Sequence, residues 1–212
     1  MTPEGVIAID GPAGSGKSTV ARAVAARLGM AHLDTGAMYR AVALAALRRG
    51  VDAGDEEAVA DVARRARIDV GDGEVVVDGV DATAEIRGRE VSEAVSAVAG
   101  YPEVRRELVR RQREWAAAHG GGVVEGRDIG SVVFPDAALK VYLTASDEVR
   151  ARRRSEEGGE GDHEAVAADI ARRDQVDSSR WASPLVVPEG AAVIDTTGRS
   201  VEEVVEEVLT RL

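Results

Sequence analysis

Cysteine is absent from this 212-residue chain, so neither a disulfide framework nor a thiolate metal site is open to it. Aromatic residues make up only 3% of it, which leaves valine, alanine, leucine and isoleucine to build the core. No apolar run approaches the length of a bilayer span, and no charged-then-apolar leader opens the sequence. With Val6 already inside an apolar run, the expectation is a cytoplasmic chain whose fold starts at once. Lysine occurs only as Lys17 and Lys140, against a large excess of arginine. The net charge of −11 works against non-specific attachment to nucleic acid or to an anionic membrane, so neither is expected as a partner. What remains, 44% hydrophobic and 31% charged, suits one globular domain with a single substantial core. Alanine, glycine and valine are abundant alongside arginine, so composition alone assigns no arginine a function.

The stretch that organises the chain is Gly11-Pro12-Ala13-Gly14-Ser15-Gly16-Lys17-Ser18-Thr19. It follows Val6-Ile7-Ala8-Ile9 and precedes an amphipathic segment from Val20 to Leu28. Strand, glycine-rich loop and helix form the context that the phosphate-binding pattern G-x-x-x-x-G-K-[ST] requires. Glycines let the backbone curl until successive N–H groups point inward, at a helix N-terminus with its partial positive charge. Lys17 can then reach the β- and γ-phosphates of a nucleotide, and the Ser18 hydroxyl can join the shell of a Mg²⁺ ion. The plainer alternative is a loop that only turns the chain, and the flanking strand and helix argue against it.

Further along, Ala31-His32-Leu33-Asp34 reads as a second strand, with Thr35-Gly36 turning into a helix from Ala37 to Arg49. Asp55, Glu56 and Glu57 open another helix at its positive end, running to about Arg67. Between Ile68 and Ala82 the period changes, and Glu74–Asp78 beside three glycines predicts a small antiparallel hairpin. Helices follow over Arg89–Ala99 and Pro102–His119. The sheet resumes with strands at Gly122–Glu125, Leu139–Leu143 and Ala192–Asp195. Ser146 is placed to cap a helix carrying Arg150 to Arg154, a further helix spans 163–173, and Ser200 with Glu203 predicts a capping box. Five apolar strands separated by helices imply an α/β fold, a parallel sheet covered on both faces, with ligands bound beyond the carboxyl ends of the strands.

A P-loop specifies nucleotide phosphates and nothing more. No guanine-reading N-K-x-D segment is present, and strand 123–125 ends in Glu125-Gly126-Arg127-Asp128 rather than in a Walker-B aspartate. A small phosphotransferase is left. Arginines clustered at ligand-facing ends fit it, since transfer between two anions needs cations around a loose transition state. A nucleotide-dependent regulatory module is the alternative from another class.

Four blocks then resemble bacterial cytidylate kinase, of the P-loop nucleoside monophosphate kinase family. They are Asp10 to Ser18, Leu33-Asp34-Thr35-Gly36-Ala37-Met38-Tyr39-Arg40, Arg110-Arg111-Gln112-Arg113, and Gly126-Arg127-Asp128-Ile129-Gly130-Ser131-Val132-Val133-Phe134-Pro135-Asp136-Ala137. The resemblance spans the whole chain and implies one P-loop kinase domain with three parts. These are a core at about 1–35, 120–150 and 176–212, a monophosphate-binding region with a β insertion at about 36–119, and a lid at about 150–175. It implies phosphorylation of CMP and dCMP by ATP with Mg²⁺.

The resemblance also implies roles. Arg40, Arg127 and Arg180 would hold the CMP phosphate, and Asp128, Ser96 and Arg105 would read the cytosine ring. Arg173 and Asp177 would contact the sugar, and Thr35 would lie near the base or phosphate. Arg150, Arg153 and Arg154 would clamp ATP phosphates as the glycine-rich tip at 156–162 closes. Each has a structural alternative: Arg110, Arg111 and Arg113 as a solvated helix face, Arg152 to Arg154 paired with nearby glutamates, Asp128 paired with Arg127. His32, His119 and His163 lack metal-ligand spacing and read as structural. No long exposed apolar stripe is apparent, which favours a monomer.

Overall fold

The computed structural model describes residues 5–71, 73–158, 163–179 and 185–212. The first half runs β1 (Gly5–Asp10), α1 (Lys17–Leu28), β2 (His32–Asp34), α2 (Thr35–Arg48), α3 (Glu56–Arg65), β3 (Ile68–Val70), β4 (Val75–Val77) and β5 (Val80–Asp81). The second runs α4 (Arg89–Val98), α5 (Pro102–His119), β6 (Gly121–Gly126), β7 (Leu139–Thr144), α6 (Asp147–Gly158), α7 (His163–Ser179), β8 (Ala192–Asp195) and α8 (Val201–Leu209). Two compact units result, Met1–His32 with His119–Leu212, and Leu33–Ala118.

The first unit is built on a five-stranded sheet in the order β2-β6-β1-β7-β8. β1 pairs in parallel with β6 and β7, and β7 in parallel with β8. Strands buried on both faces read as continuous apolar runs, which is why Val6–Ile9 and Val123–Val124 show no polar alternation. Ile7, Ile9, Val123, Val141, Leu143 and Ile194 meet Val20 and Val24 of α1 and Val205 and Val208 of α8 in one buried cluster. Each such side chain contributes about 1.5–3 kcal/mol on burial, so aliphatic groups carry this core without aromatic help. Gly29 ends α1 at φ 64°, returning its N–H to the last carbonyls. Ser200 and Glu203 form the expected capping box on α8.

The second unit packs α2 on α3 and α4 and carries a small sheet in the order β3-β4-β5. Three antiparallel strands replace the two-stranded hairpin expected from the sequence. Two helix boundaries also differ. α2 begins at Thr35 because the Asp34 carboxylate accepts the Ala37 N–H at 3.0 Å, making Asp34 the cap and drawing Thr35-Gly36 into the first turn. α7 runs on to Ser179 rather than stopping near 173. α5 has the expected bounds, but its buried face includes Arg105 and Gln112, while Trp115 is only half-buried.

Candidate active site

The P-loop is fixed by what presses on it. A Cβ on Gly11 would lie 2.1 Å from the Leu143 carbonyl oxygen, and one on Gly14 would lie 2.6 Å from that of Arg150. Only glycine fits where β7 and α6 come this close. Gly16, at φ 88°, turns the chain into α1. The Lys17 ammonium donates to the Pro12 carbonyl at 2.8 Å, curling over the loop it would serve. Ser15 is fully buried, and among the described residues its hydroxyl has no hydrogen-bond partner.

The Ser18 hydroxyl donates to Glu125 Oε2 at 2.8 Å, and the other carboxylate oxygen lies 3.1 Å from His32 Nε2. Glu125 and His32 are both buried. The strand carries no Walker-B aspartate, as read from the sequence; Glu125, near the end of the strand beside β1, holds the P-loop hydroxyl instead. His32 is structural, as expected, but in a specific way, since its ring N–H fixes the second oxygen of that carboxylate. With its proton committed to Glu125, the Ser18 oxygen keeps lone pairs for a hard cation, a donor chemistry that fits Mg²⁺.

Past β6 the chain turns sharply at Asp128 and enters a wide π-helical turn over Ile129–Val133. Asp10, the last residue of β1, anchors it: one carboxylate oxygen accepts the Ile129 N–H and the other the Gly130 N–H, each at 2.8 Å. Burial pushes the Asp10 carboxyl up to about 6; the two N–H groups pull it down, Asp128 pushes it up and Lys17 pulls it down. Arg127 donates to the Gly11 carbonyl at 2.7 Å and pairs through Nε with Asp177 at 3.1 Å. So Arg127, Asp177 and the loop entrance meet, and Arg127 has a charge partner in Asp177, on α7. Asp128 is itself buried.

α6 and α7 grip the loop from outside. Arg150 donates to the Ala13 carbonyl at 3.1 Å and pairs with Asp147 at 2.6 Å and with Asp174, whose carboxylate accepts the Ala13 N–H at 3.4 Å. Burial works to lower the Arg150 pKa, and the two carboxylates raise it further than burial lowers it. Arg150 is thus engaged by the loop backbone and by Asp174. Arg153 donates to the hydroxyl of Thr196 at 2.8 Å and to its carbonyl at 3.0 Å. Between them opens a cavity of about 350 Å³ lined by Gly14, Gly16, Thr19, Arg153, Thr196 and Arg199. Arg154 is half-buried on α6. Arg180, the tip at 159–162 and the side chain of Arg173 lie outside the described residues.

The second unit gathers its own set. Arg40, half-buried on α2, donates to the Ser92 hydroxyl at 3.0 Å and the Ile86 carbonyl at 3.2 Å. Arg105, buried on α5, lies over the Tyr39 ring at 5.7 Å and donates to the Ala99 carbonyl at 3.3 Å. Thr35 is buried and Ser96 half-buried on α4. Of the α5 arginines, Arg110 pairs with Glu107 and Glu114, a solvated face as expected. Arg111 shares Glu107, through Nε at 2.6 Å, but also donates to the carbonyls of Ala63, Arg64 and Ala66, closing the end of α3.

Asp10, Ser92, Glu125, Asp174 and Thr196 escaped sequence reasoning as site-building residues. For Asp10 and Glu125 a signal existed, a lone acid ending a buried apolar strand at its ligand-facing end.

Residues 7–212 match the family profile for cytidylate kinase. A cytidylate kinase of Caldanaerobacter subterraneus is 52% identical over 207 residues, covering 95% of this chain and 92% of that protein. The cytidylate kinase of Mycobacterium leprae is 46% identical over 208 residues, 96% of this chain and 93% of that protein. Among solved structures, a gluconokinase from Sinorhizobium meliloti superposes with TM-score 0.53 at 17% identity, covering 98% of this chain and 90% of that one, a likeness of fold. A P-loop whose hydroxyl is held by a strand-end acid, in a chain matched to such relatives along nearly its whole length, leads to one assignment: this chain belongs to the cytidylate kinase family.

Proposed function

We infer that the chain phosphorylates CMP with ATP as donor, releasing CDP and ADP. The full-length family match carries this reading. It is supported by a glycine-rich loop that turns at Gly16 into the N-terminus of α1, with the Lys17 ammonium lying over the loop on the Pro12 carbonyl. The cavity lined by Arg153, Thr196 and Arg199 would take the donor base and ribose. Lys17 would leave Pro12 for the β- and γ-phosphates. Mg²⁺, when bound beside Ser18 and Glu125, supplies charge neutralisation on the donor phosphates.

For the acceptor, Arg127 and Arg40 would hold the CMP phosphate, with Arg180 a third candidate. Their guanidinium forks match its oxygens and stay charged throughout. Asp128 would accept from the cytosine amino group, Ser96 and Arg105 would complete the reading of the ring, and Thr35 would stand close by. UMP offers a carbonyl where CMP offers an amine, so a carboxylate facing it would be left unpaired and UMP rejected. Asp177 and Arg173 would meet the sugar hydroxyls, making dCMP a second substrate. The nucleophile is a phosphate oxygen already ionised at neutral pH, so orientation and charge neutralisation suffice without a general base. Closure of α6, α7 and the tip between them would exclude water from the donor. A monomer working in the cytoplasm, where ATP is supplied, completes the reading.

The test is coupled ADP release with ATP and Mg²⁺ against CMP, dCMP, UMP, AMP and GMP, using the wild type and Asp128→Ala. CMP should be the best acceptor, and the variant should lose the preference for CMP over UMP. If no monophosphate accelerates ADP release, the reading is wrong. If the variant keeps its preference, the role of Asp128 falls while the activity stands.

A further inference from the structure

We propose that Asp10 is a positioning residue for phosphoryl transfer, its two carboxylate oxygens holding the turn that carries Arg127 and Asp128 in register with the first residue of the P-loop. This rests on the functional reading above. The observations that carry it lie within the first unit. The π-helical turn begins without a side-chain cap of its own, so the N–H groups of Ile129 and Gly130 have no partner in the turn. Asp10 supplies both partners from another strand, one oxygen to each. Arg127 returns the link by donating to Gly11, so residues 10–11 and 127–130 are joined by three hydrogen bonds. Gly11 itself cannot shift toward β7, because the Leu143 carbonyl already occupies the space a Cβ would take. The turn is thereby referenced to the most constrained point of the phosphate loop.

Only an ionised carboxylate offers a full acceptor to each N–H. A protonated acid or an amide turns one of its two ends into a donor facing an N–H group, and the turn loses half its anchor. The charged and titratable groups around Asp10 are Lys17 from α1, Asp128 and Arg127 from the far end of β6, and Tyr142 from β7. Tyr142 is held neutral by burial, with its pKa raised. Asp10 therefore titrates with Asp128 pushing its pKa up and Lys17 pulling it down, in a dry setting that brings its proton exchange close to pH 6. Below that pH the anchor weakens, and the groups meant for the acceptor phosphate and base drift from their places.

The experiment compares the wild type with Asp10→Asn. It measures kcat and KM for CMP from about pH 5 to 8, the affinity for ADP alone, and the amide shifts of Ile129 and Gly130 by NMR across the same range. In Asp10→Asn, kcat should fall and KM for CMP rise, together lowering kcat/KM on the order of tenfold to a hundredfold. ADP affinity should stay within about threefold, because the variant leaves the loop N–H groups in place. The wild-type amides should titrate near pH 6 alongside an acidic limb in kcat/KM, and both should vanish in the variant. Wild-type amide shifts flat across that range, or a variant with unchanged CMP kinetics, would overturn the proposal. Titrating amides in a wild type that phosphorylates no monophosphate would leave the anchor standing and sink the functional reading instead.

Discussion

Replacing Asp10 by Asn also makes a thermodynamic forecast independent of catalysis. An Asp that titrates at 3.8 in the unfolded chain and at about 6 when folded binds its proton more readily in the folded state. Between those values the unfolded state carries fewer protons, so the stability contributed by this residue falls as pH rises. The contribution is fully present below 3.8 and is lost by the time pH passes about 6. The gap, about 6 minus 3.8, corresponds to about 3 kcal/mol at 1.36 kcal/mol per pH unit. Of this, on the order of 1 kcal/mol falls between pH 8 and pH 5. The absolute curve would hide it. Asp78, Glu85, Glu107, Glu203 and Glu207 are held below their usual values by hydrogen bonds they accept, and their contributions run the other way. Subtracting the Asn variant cancels those terms, because it keeps every other carboxylate. Urea unfolding of both proteins at several pH values should therefore give wild-type stability that gains on the variant by on the order of 1 kcal/mol on going from pH 8 to pH 5. Curves that stay parallel within about 0.4 kcal/mol would mean that Asp10 titrates folded as it does unfolded, and the account of its burial would fail.

Three further outcomes follow from the geometry. A double-mutant cycle of Ser18→Ala and Glu125→Gln, read by urea unfolding, should return a coupling of about 1.5–3 kcal/mol; a value near zero would mean the charged hydrogen bond is not formed in solution. Gly121→Ala places a Cβ 2.2 Å from the Gly5 carbonyl oxygen at φ 115°, and should cost about 3 kcal/mol or more; an unchanged Tm would refute the close approach of β1 and β6. Arg111→Ala strips three carbonyls at the end of α3 of their donor and should destabilise by about 2 kcal/mol. Arg110→Ala, removing pairs made by an exposed arginine, should leave stability nearly unchanged, and equal effects at the two sites would contradict the contrast.

What the sequence disclosed was local in origin. The P-loop, the span of α5 from Pro102 to His119 and the Ser200–Glu203 capping box each depend on residues within a turn or two of one another. Strand order was another matter. That β6 rather than β2 lies beside β1 depends on pairings across more than a hundred residues, which no local pattern encodes. The same distance hid the Ser18–Glu125 bond, 107 positions apart, and the Asp10 anchor, 119 and 120 positions from its donors. Arg111 was misread for a related reason: on a helical wheel it sits among solvated arginines, and only the end of another helix gives it work. The start of α2 was missed because an Asp that closes a strand and caps a helix serves two elements at once.

The scarcity of lysine turns the fold of Lys17 onto Pro12 into a labelling handle. With two lysines in the chain, acylation yields two side-chain modification sites readable by mass spectrometry. Lys17 sits inside the phosphate loop, and Lys140 on β7 donates to the Glu189 carbonyl at 3.3 Å. A polyphosphate that drew the Lys17 ammonium into charge-assisted hydrogen bonds would shield it from the reagent, while Lys140 would go on reacting. The ratio of the two adducts is then an internal gauge of donor-site occupancy, needing neither turnover nor an engineered reporter.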